Sequence, residues 1–288
     1  MKNILKLGAL AAVGTLVLAG CAANEQTAEP TSGGATSETA VVETLSGTLN
    51  GSGASSMAAG QEAWIAAFQI ANPGVTVNYD PTGSGTGRAQ FFEGATSFIG
   101  SDSYFKDEEL AGEFPSCVPG TLPWEFPIWI SPIAVIFNLD GISSLNMEGP
   151  TVAGIFAGKI TMWNDAAIAA ANPGVTLPEL SITAVHRSDE SGTSKNFTDY
   201  LAAVAPDVWT VGAIEAWPAE YGGEGAQGTS GVVSAVTGGN GTIGYADASR
   251  AGDLGTVAVK VGSDYVAYSA EAAAALGQNL IFYLTQLP

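Results

Sequence analysis

Ile182-Thr183-Ala184-Val185-His186-Arg187-Ser188-Asp189-Glu190-Ser191-Gly192-Thr193 is the stretch on which the reading turns. Residues 182–187 read as a strand, led by the apolar run Ile182–Val185. Residues 188–193 form a turn that opens a helix bearing Phe197, Leu201 and Val204. A helix start offers unpaired backbone N–H groups and the positive end of the helix dipole, and glycine lets a ligand come close to them. Arg187 stands at the end of the strand, where open α/β sheets bind their ligands. Its planar guanidinium suits two-point pairing with an oxyanion, and Asp189 is placed to hold it. Taken alone, Ser191 has an ordinary explanation as a helix cap, and Arg187 as a surface arginine.

The same strand–turn–helix grammar recurs along the chain. Leu45–Asn50 is a strand candidate that runs into the turn Gly51-Ser52-Gly53-Ala54-Ser55-Ser56. The following helix places Met57, Gln61, Trp64, Phe68 and Ala71 on one face at the 3.6-residue period, and Asn72-Pro73-Gly74 stops it. Val75–Tyr79 is a short strand, followed by Thr82-Gly83-Ser84-Gly85-Thr86-Gly87 and a helix through Ala89–Phe92. Phe98-Ile99-Gly100-Ser101-Asp102 reads as a buried strand that ends in an acid, and Ile133–Asn138 as a further strand. Gly228-Thr229-Ser230 opens another helix, and Gly241–Tyr245 is a strand. This order predicts an α/β protein with mostly parallel sheets. Three hydroxyl-bearing turns (Ser55/Ser56, Ser84 and Ser191-Gly192-Thr193) that converge with Arg187 would form an anion site. Asp102 would repel such an anion unless the anion carries a proton to donate, as phosphate does and sulfate at neutral pH does not.

Composition narrows the class. The chain has 288 residues, a net charge of −19, 46 % hydrophobic and 13 % charged residues, which excludes global disorder. A strongly acidic balance argues against a nucleic-acid partner, because phosphodiester backbones are held by basic stripes. Residues 1–20 read as a leader: Lys2 and Lys6 precede the apolar run Leu7–Leu18, and Leu18-Ala19-Gly20-Cys21 is similar to a bacterial lipobox, with Cys21 the expected lipidation site. Removing residues 1–20 takes away two lysines and leaves 268 residues of charge −21. Residues 21–44 then make a lipidated, flexible tether, which places the protein on the extracytoplasmic face of a bacterial cell membrane. Cys117 is left without a second cysteine partner in the body, and one histidine, His186, with no CxxC gives no ordinary zinc set.

On these segments the chain resembles the PstS-type phosphate-binding lipoproteins of ABC phosphate importers. The resemblance runs from about Leu45 to about Ser269 and rests on residues 51–56, 83–87, 100–102, Gly158–Asn164, Asn172-Pro173-Gly174, Arg187–Thr193 and Gly241–Tyr245. It implies a periplasmic-binding-protein fold, two α/β lobes that close over one dehydrated phosphate. The implied domains are lobe 1 at 45–131, lobe 2 at 132–246 and a return to lobe 1 at 247–288, with hinges near Ser131–Ala134 and Tyr245–Ser249. The implied phosphate ligands are the Ser55 hydroxyl, the Ser56 N–H, the Ser84 hydroxyl and the Asp102 carboxylate from one lobe. The other lobe supplies Arg187, oriented by Asp189, together with Ser191, Gly192 and Thr193. The implied partners are inorganic phosphate and the permease subunits of the importer, with no cofactor, no metal and no catalytic residue. Position 56 is often aromatic in the family, and Ser56 lacks that bulky cover. The family also adds strands and helices after the point matched by Ser269, whereas Leu276–Pro288 matches nothing in it, so the end is expected to be truncated or frameshifted and to leave an apolar surface open.

Other classes fit the residues less well. A secreted hydrolase wants a nucleophile with a base, yet no G-x-S-x-G elbow is present and the single histidine adjoins Arg187. A P-loop would need Gly-Lys-Ser/Thr where Gly87 is followed by Arg88-Ala89. The alternatives kept are a binding protein for another oxyanion and a phosphate-binding sensory or adhesive module.

Overall fold

The computed structural model describes residues 45–275, which carry two β-sheets flanked by helices. The leader, the tether with Cys21, and residues 276–288 lie outside the described residues.

The first sheet has three strands, all parallel, in the order β2 (Val75–Asp80), β1 (Gly47–Gly53), β3 (Phe98–Gly100). Helix α1 (Ala58–Ala71) links β1 to β2, and α2 (Ser84–Phe92) links β2 to β3. Parallel neighbours need such crossovers, and the helices therefore start at the same edge, just past the strands' C-terminal ends. The tight exit from β1 depends on Gly53. Its φ is +127°, and a Cβ there would lie 2.0 Å from the Gly100 carbonyl oxygen. The expected apolar face of α1 is buried only at its start. Met57 and Gln61 are covered, whereas Trp64 and Phe68 are 42 % and 41 % exposed. The core of this half is a cluster of Phe91, Phe105 and Phe114, with Cys117 packed against it. The segment Asp107–Leu110 forms a single turn, α3, before an extended stretch leads away from the first sheet.

The second sheet has seven strands. They are β4 (Ile133–Asn138), β5 (Ser144–Met147), β6 (Thr183–Arg187), β7 (Glu224–Ala226), β8 (Thr242–Asp247), β9 (Gly255–Val261) and β10 (Asp264–Val266). The order is β10-β9-β4-β8-β6-β7, with β5 beside β9. The expectation of mostly parallel strands holds for the first sheet, but this one is mixed. β4 runs antiparallel to β8 and β9, and β9 antiparallel to β10, while β6 is parallel to β7 and β8. Helices α4 (Gly149–Phe156), α5 (Ala166–Ala171) and α6 (Gly192–Val204) belong to one side, where Phe137, Phe156, Trp163, Leu201 and Tyr245 form the larger core. On the other side α7 (Gly228–Gly238) seals Ile136, Val185, Val232 and Val236. Fully burying an apolar side chain of this size is worth about 1.5–3 kcal/mol, so this half carries most of the packing energy.

The two segments expected to act as hinges lie side by side. Ile133 pairs with Asp247 and Ala134 with Ala246, and the Pro132 carbonyl accepts the Ala248 N–H at 2.9 Å. Between residues 247 and 266 the chain does not make the expected return to the first lobe. It passes instead through β9, which pairs with β4 and β5 in the second sheet, and β10, which pairs with β9. The physical reason is visible in β9, Gly-Thr-Val-Ala-Val-Lys-Val, whose alternation lets Val257 sit in the larger core.

Candidate functional site

Four helix starts meet between the two sheets. α2 begins at Ser84, α6 at Gly192 and α7 at Gly228, while Ser55 and Ser56 lie just before α1. Each follows a strand of its sheet, which is how a parallel α/β unit directs its free N–H groups to one edge. The expected site residues fall there into two hydrogen-bonded groups, one on the Arg187–Asp189 pair and one that joins Ser56, Ser84 and Thr193.

Asp102 is the centre of the second group. One carboxylate oxygen accepts the Ser56 hydroxyl at 2.6 Å and the other accepts the Thr193 hydroxyl at 2.7 Å. Its backbone N–H donates to the Ser84 hydroxyl oxygen at 3.1 Å. Asp102 does not cap the following helical turn, which is led by Lys106 and Glu109. A carboxylate has about four acceptor positions, so two remain for another donor. Ser56, for which only the N–H was expected to matter, thus gains a use for its hydroxyl.

Gly192 sits against Asp102 and Ser84 so closely that no side chain fits. A Cβ would lie 2.7 Å from the Ser84 Oγ and 2.8 Å from the Asp102 Cβ. Ser191 is the N-cap of α6, its hydroxyl oxygen accepting the Ser194 N–H at 3.1 Å. The ordinary capping role is thus the one this hydroxyl fills here.

Arg187 is 2 % exposed, a burial that a cation tolerates only when paired. Asp189 provides the pair, accepting from Nε at 2.7 Å and also from Nη2. No described residue engages Nη1. Burial pushes the Asp189 carboxyl up, but the hydrogen bond and charge of Arg187, with the Gly228 N–H at 3.0 Å, hold it below its ordinary value. The Arg187 backbone N–H donates to the Tyr245 hydroxyl at 3.2 Å, and Tyr245, pushed up to about 12 by burial, stays a neutral phenol. His186 stacks on Trp217 at 4.8 Å, and burial lowers its pKa. It is burial, rather than charge repulsion from Arg187, that keeps this ring neutral.

Ser55 is held by a residue that sequence reasoning used only as a helix start. Its hydroxyl oxygen accepts the Thr229 N–H at 2.9 Å and shares a hydrogen with the Thr229 hydroxyl at 3.0 Å. Arg88 was also missed. It is 1 % exposed on α2, four residues past Ser84, and donates to Glu215 at 2.7 Å. The only sequence signal for it was a basic residue in a chain with few, one helical turn from a candidate ligand.

The set can do one thing well. Helix-start N–H groups, hydroxyls and one guanidinium come together at this edge, and their only unbalanced formal charge is that of Asp102. Such a site stabilises an oxyanion through neutral donors and dipoles, and it contains an acceptor suited to a proton on that anion.

The comparisons agree with this geometry. The sequence pattern of the PBP superfamily domain matches residues 34–283. Phosphate-binding protein PstS 3 of Mycobacterium tuberculosis is 38 % identical over 281 residues, covering 95 % of this chain and 73 % of that protein. The chain belongs to the PstS family of phosphate-binding proteins. Another member, phosphate-binding protein PstS 2 of the same species, is 34 % identical over 266 residues, covering 91 % of this chain and 71 % of the relative. Among solved structures, a putative phosphate ABC transporter substrate-binding protein with bound phosphate from Clostridium perfringens superposes with a TM-score of 0.58 at 22 % identity. That match covers 81 % of this chain and 82 % of the other. It shows the fold: two α/β lobes.

Proposed function

We propose that this protein captures inorganic phosphate in the cleft between its lobes and delivers it to the permease of an ABC-type importer. Membership of the PstS family supports the ligand class, and Asp102 is the observation that carries the choice. A carboxylate reached by hydroxyls from both lobes accepts the proton of HPO4(2−) or H2PO4(−) and repels a fully ionised sulfate. In this reading Ser55, Ser56, Ser84 and Asp102 grip the anion from the first lobe. Arg187, aligned by Asp189, and Ser191, Gly192 and Thr193 grip it from the second. The adjoining segments 131–134 and 245–249 are the hinge, with lobe 1 at 45–131 and lobe 2 beginning at 132. Binding and release need no covalent chemistry, so the protein acts as a carrier and not as an enzyme. Cys21 would be acylated and would keep the carrier beside its permease on the outer face of the cell membrane.

Equilibrium dialysis with radiolabelled phosphate, with sulfate, arsenate and molybdate as competitors, tests the ligand. Displacement by arsenate, which has the same shape and protonation, and not by sulfate supports the reading. Displacement by sulfate or molybdate as readily as by phosphate assigns the cleft to another oxyanion.

A further inference from the structure

One buried ion pair joins the two lobes beside the site, and the ligand set does not include it. Arg88 lies on α2 of the first lobe, and Glu215 lies in the loop that follows α6 of the second, 127 residues away. Their side chains are 1 % and 7 % exposed, and Arg88 Nη2 donates to Glu215 Oε2 at 2.7 Å. Glu109 Oε2 lies 3.2 Å from Arg88 Nε, and Lys106 Nζ lies 3.4 Å from Glu215, so the cluster is neutral with two cations and two anions. Three of these four residues come from the first lobe, and Glu215 alone crosses from the second. Burial raises the Glu215 carboxyl, but the hydrogen bond and charge of Arg88 and the charge of Lys106 hold it ionised.

Glu215 is also tied to the site through its backbone. Its carbonyl accepts the N–H of Ser191, the N-cap of α6, at 3.2 Å. The preceding residue, Ile214, exchanges hydrogen bonds with the Thr198 hydroxyl on the same helix. A force on the Glu215 carboxylate is therefore carried to the turn that presents Gly192 and Thr193. Arg88 likewise sits one helical turn beyond Ser84, which touches that turn from the other side.

We propose that Arg88 and Glu215 form a latch that positions the α6 turn in the closed cleft and sets the rate at which the bound anion leaves. The latch rests on the phosphate-capture reading for its ligand, and it acts on closure itself. It forms only when the lobes meet, so it slows opening and has little effect on the first encounter. Glu215→Gln removes the charge and keeps the shape, and Arg88 retains Glu109 as a partner, so neither lobe is left with a lone buried cation.

The test uses the soluble chain in two measurements. Stopped-flow tryptophan fluorescence gives phosphate association and release rates for the parent and for Glu215→Gln. Release is expected to be about ten- to a hundredfold faster, the loss of one charge-assisted hydrogen bond, and association is expected to rise far less, because the latch closes the anion-free cleft only part of the time. Adding Arg88→Gln to Glu215→Gln is expected to change release little further, because the contact is already gone. Unchanged release in Glu215→Gln, or a loss shared equally by association and release, overturns the latch. Small-angle scattering in anion-free buffer keeps the two readings apart. If the parent binds no phosphate, capture fails, yet the latch still predicts a larger radius of gyration for Glu215→Gln than for the parent, and equal radii then reject it.

Discussion

Gly192→Ala is a one-carbon test of whether the two lobes grip the anion together. Gly192 is the first residue of α6, and its φ is not in the left-handed region, so alanine suits it locally. The atoms that an added Cβ would meet belong to the opposite lobe: Ser84 Oγ at 2.7 Å, Asp102 Cβ at 2.8 Å and the Asp102 carbonyl carbon at 3.0 Å. Carbon atoms at rest stand about 3.5–4.0 Å apart, so the lobes must separate by most of an ångström or the Asp102 strand end must shift. Overpacking by one methyl in a tight contact costs about 1–3 kcal/mol. At about 1.4 kcal/mol per factor of ten, phosphate affinity is expected to fall roughly 5- to 150-fold. Calorimetric titration measures that loss. Thermal melting of the anion-free protein is the control and is expected to be unchanged or raised, since alanine is a better helix former than glycine. A Gly192→Ala protein that binds phosphate as tightly as the parent would refute the account of a cleft closed on Asp102 and Ser84.

Arg187→Ala is expected to weaken phosphate binding by about 2–5 kcal/mol, because it removes a buried charge-assisted donor and leaves Asp189 unpaired; unchanged affinity in calorimetry would remove Arg187 from the ligand set. Asp189 has a native pKa below its unfolded value, so its contribution to stability is present above the ordinary carboxylate pKa of about 3.9 and is lost as pH falls through the lower native value. The difference in melting temperature between the parent and Asp189→Asn should accordingly shrink as pH is lowered from about 5 to about 3, and a constant difference would contradict the pairing. Finally, the chain's charge of −19, which becomes −21 without the proposed leader, slows the arrival of an anion. Phosphate association in stopped flow should speed up modestly as NaCl is raised to about 0.1 M, where charges beyond about 10 Å are screened; a steep slowdown would indicate a local positive funnel.

What could be read from the chain was local. The run 133–138 is β4 with the expected limits, and the turns before α2, α6 and α7 open helices where the Ser, Thr and Gly residues announced them. Each of these depends on neighbours a few residues apart, and the chemistry of a turn is written there. Pairing over long distance left no such trace. Nothing in the alternation of Gly255–Val261 tells whether it joins the first sheet or the second, and the direction of β4 against β8 depends on the path of the whole chain. Arg88 and Glu215 each look like ordinary polar residues of a helix and a loop, and their meaning exists only once the lobes meet. Thr229 escaped for the same reason, since its contact with Ser55 spans 174 residues. The helical period of α1 was right, but period alone does not say what covers a face, and Trp64 and Phe68 stay half-exposed among the described residues.

The central claim is that Asp102 reads the proton on the anion, and the ratio of phosphate to sulfate affinity tests it most directly. Calorimetric titration of both anions at neutral pH into the parent and into Asp102→Asn gives that ratio twice. In the parent, sulfate would bring an acceptor against an acceptor in a closed site, and an unpaired buried charge costs several kcal/mol. Phosphate is therefore expected to bind about a thousandfold more tightly or better. In Asp102→Asn, the amide can turn a donor toward either anion, so the ratio should narrow, with the Ser56 and Thr193 hydroxyls free to rotate toward the ligand. A parent that binds sulfate as well as phosphate, or a variant that keeps the full ratio, would contradict the claim.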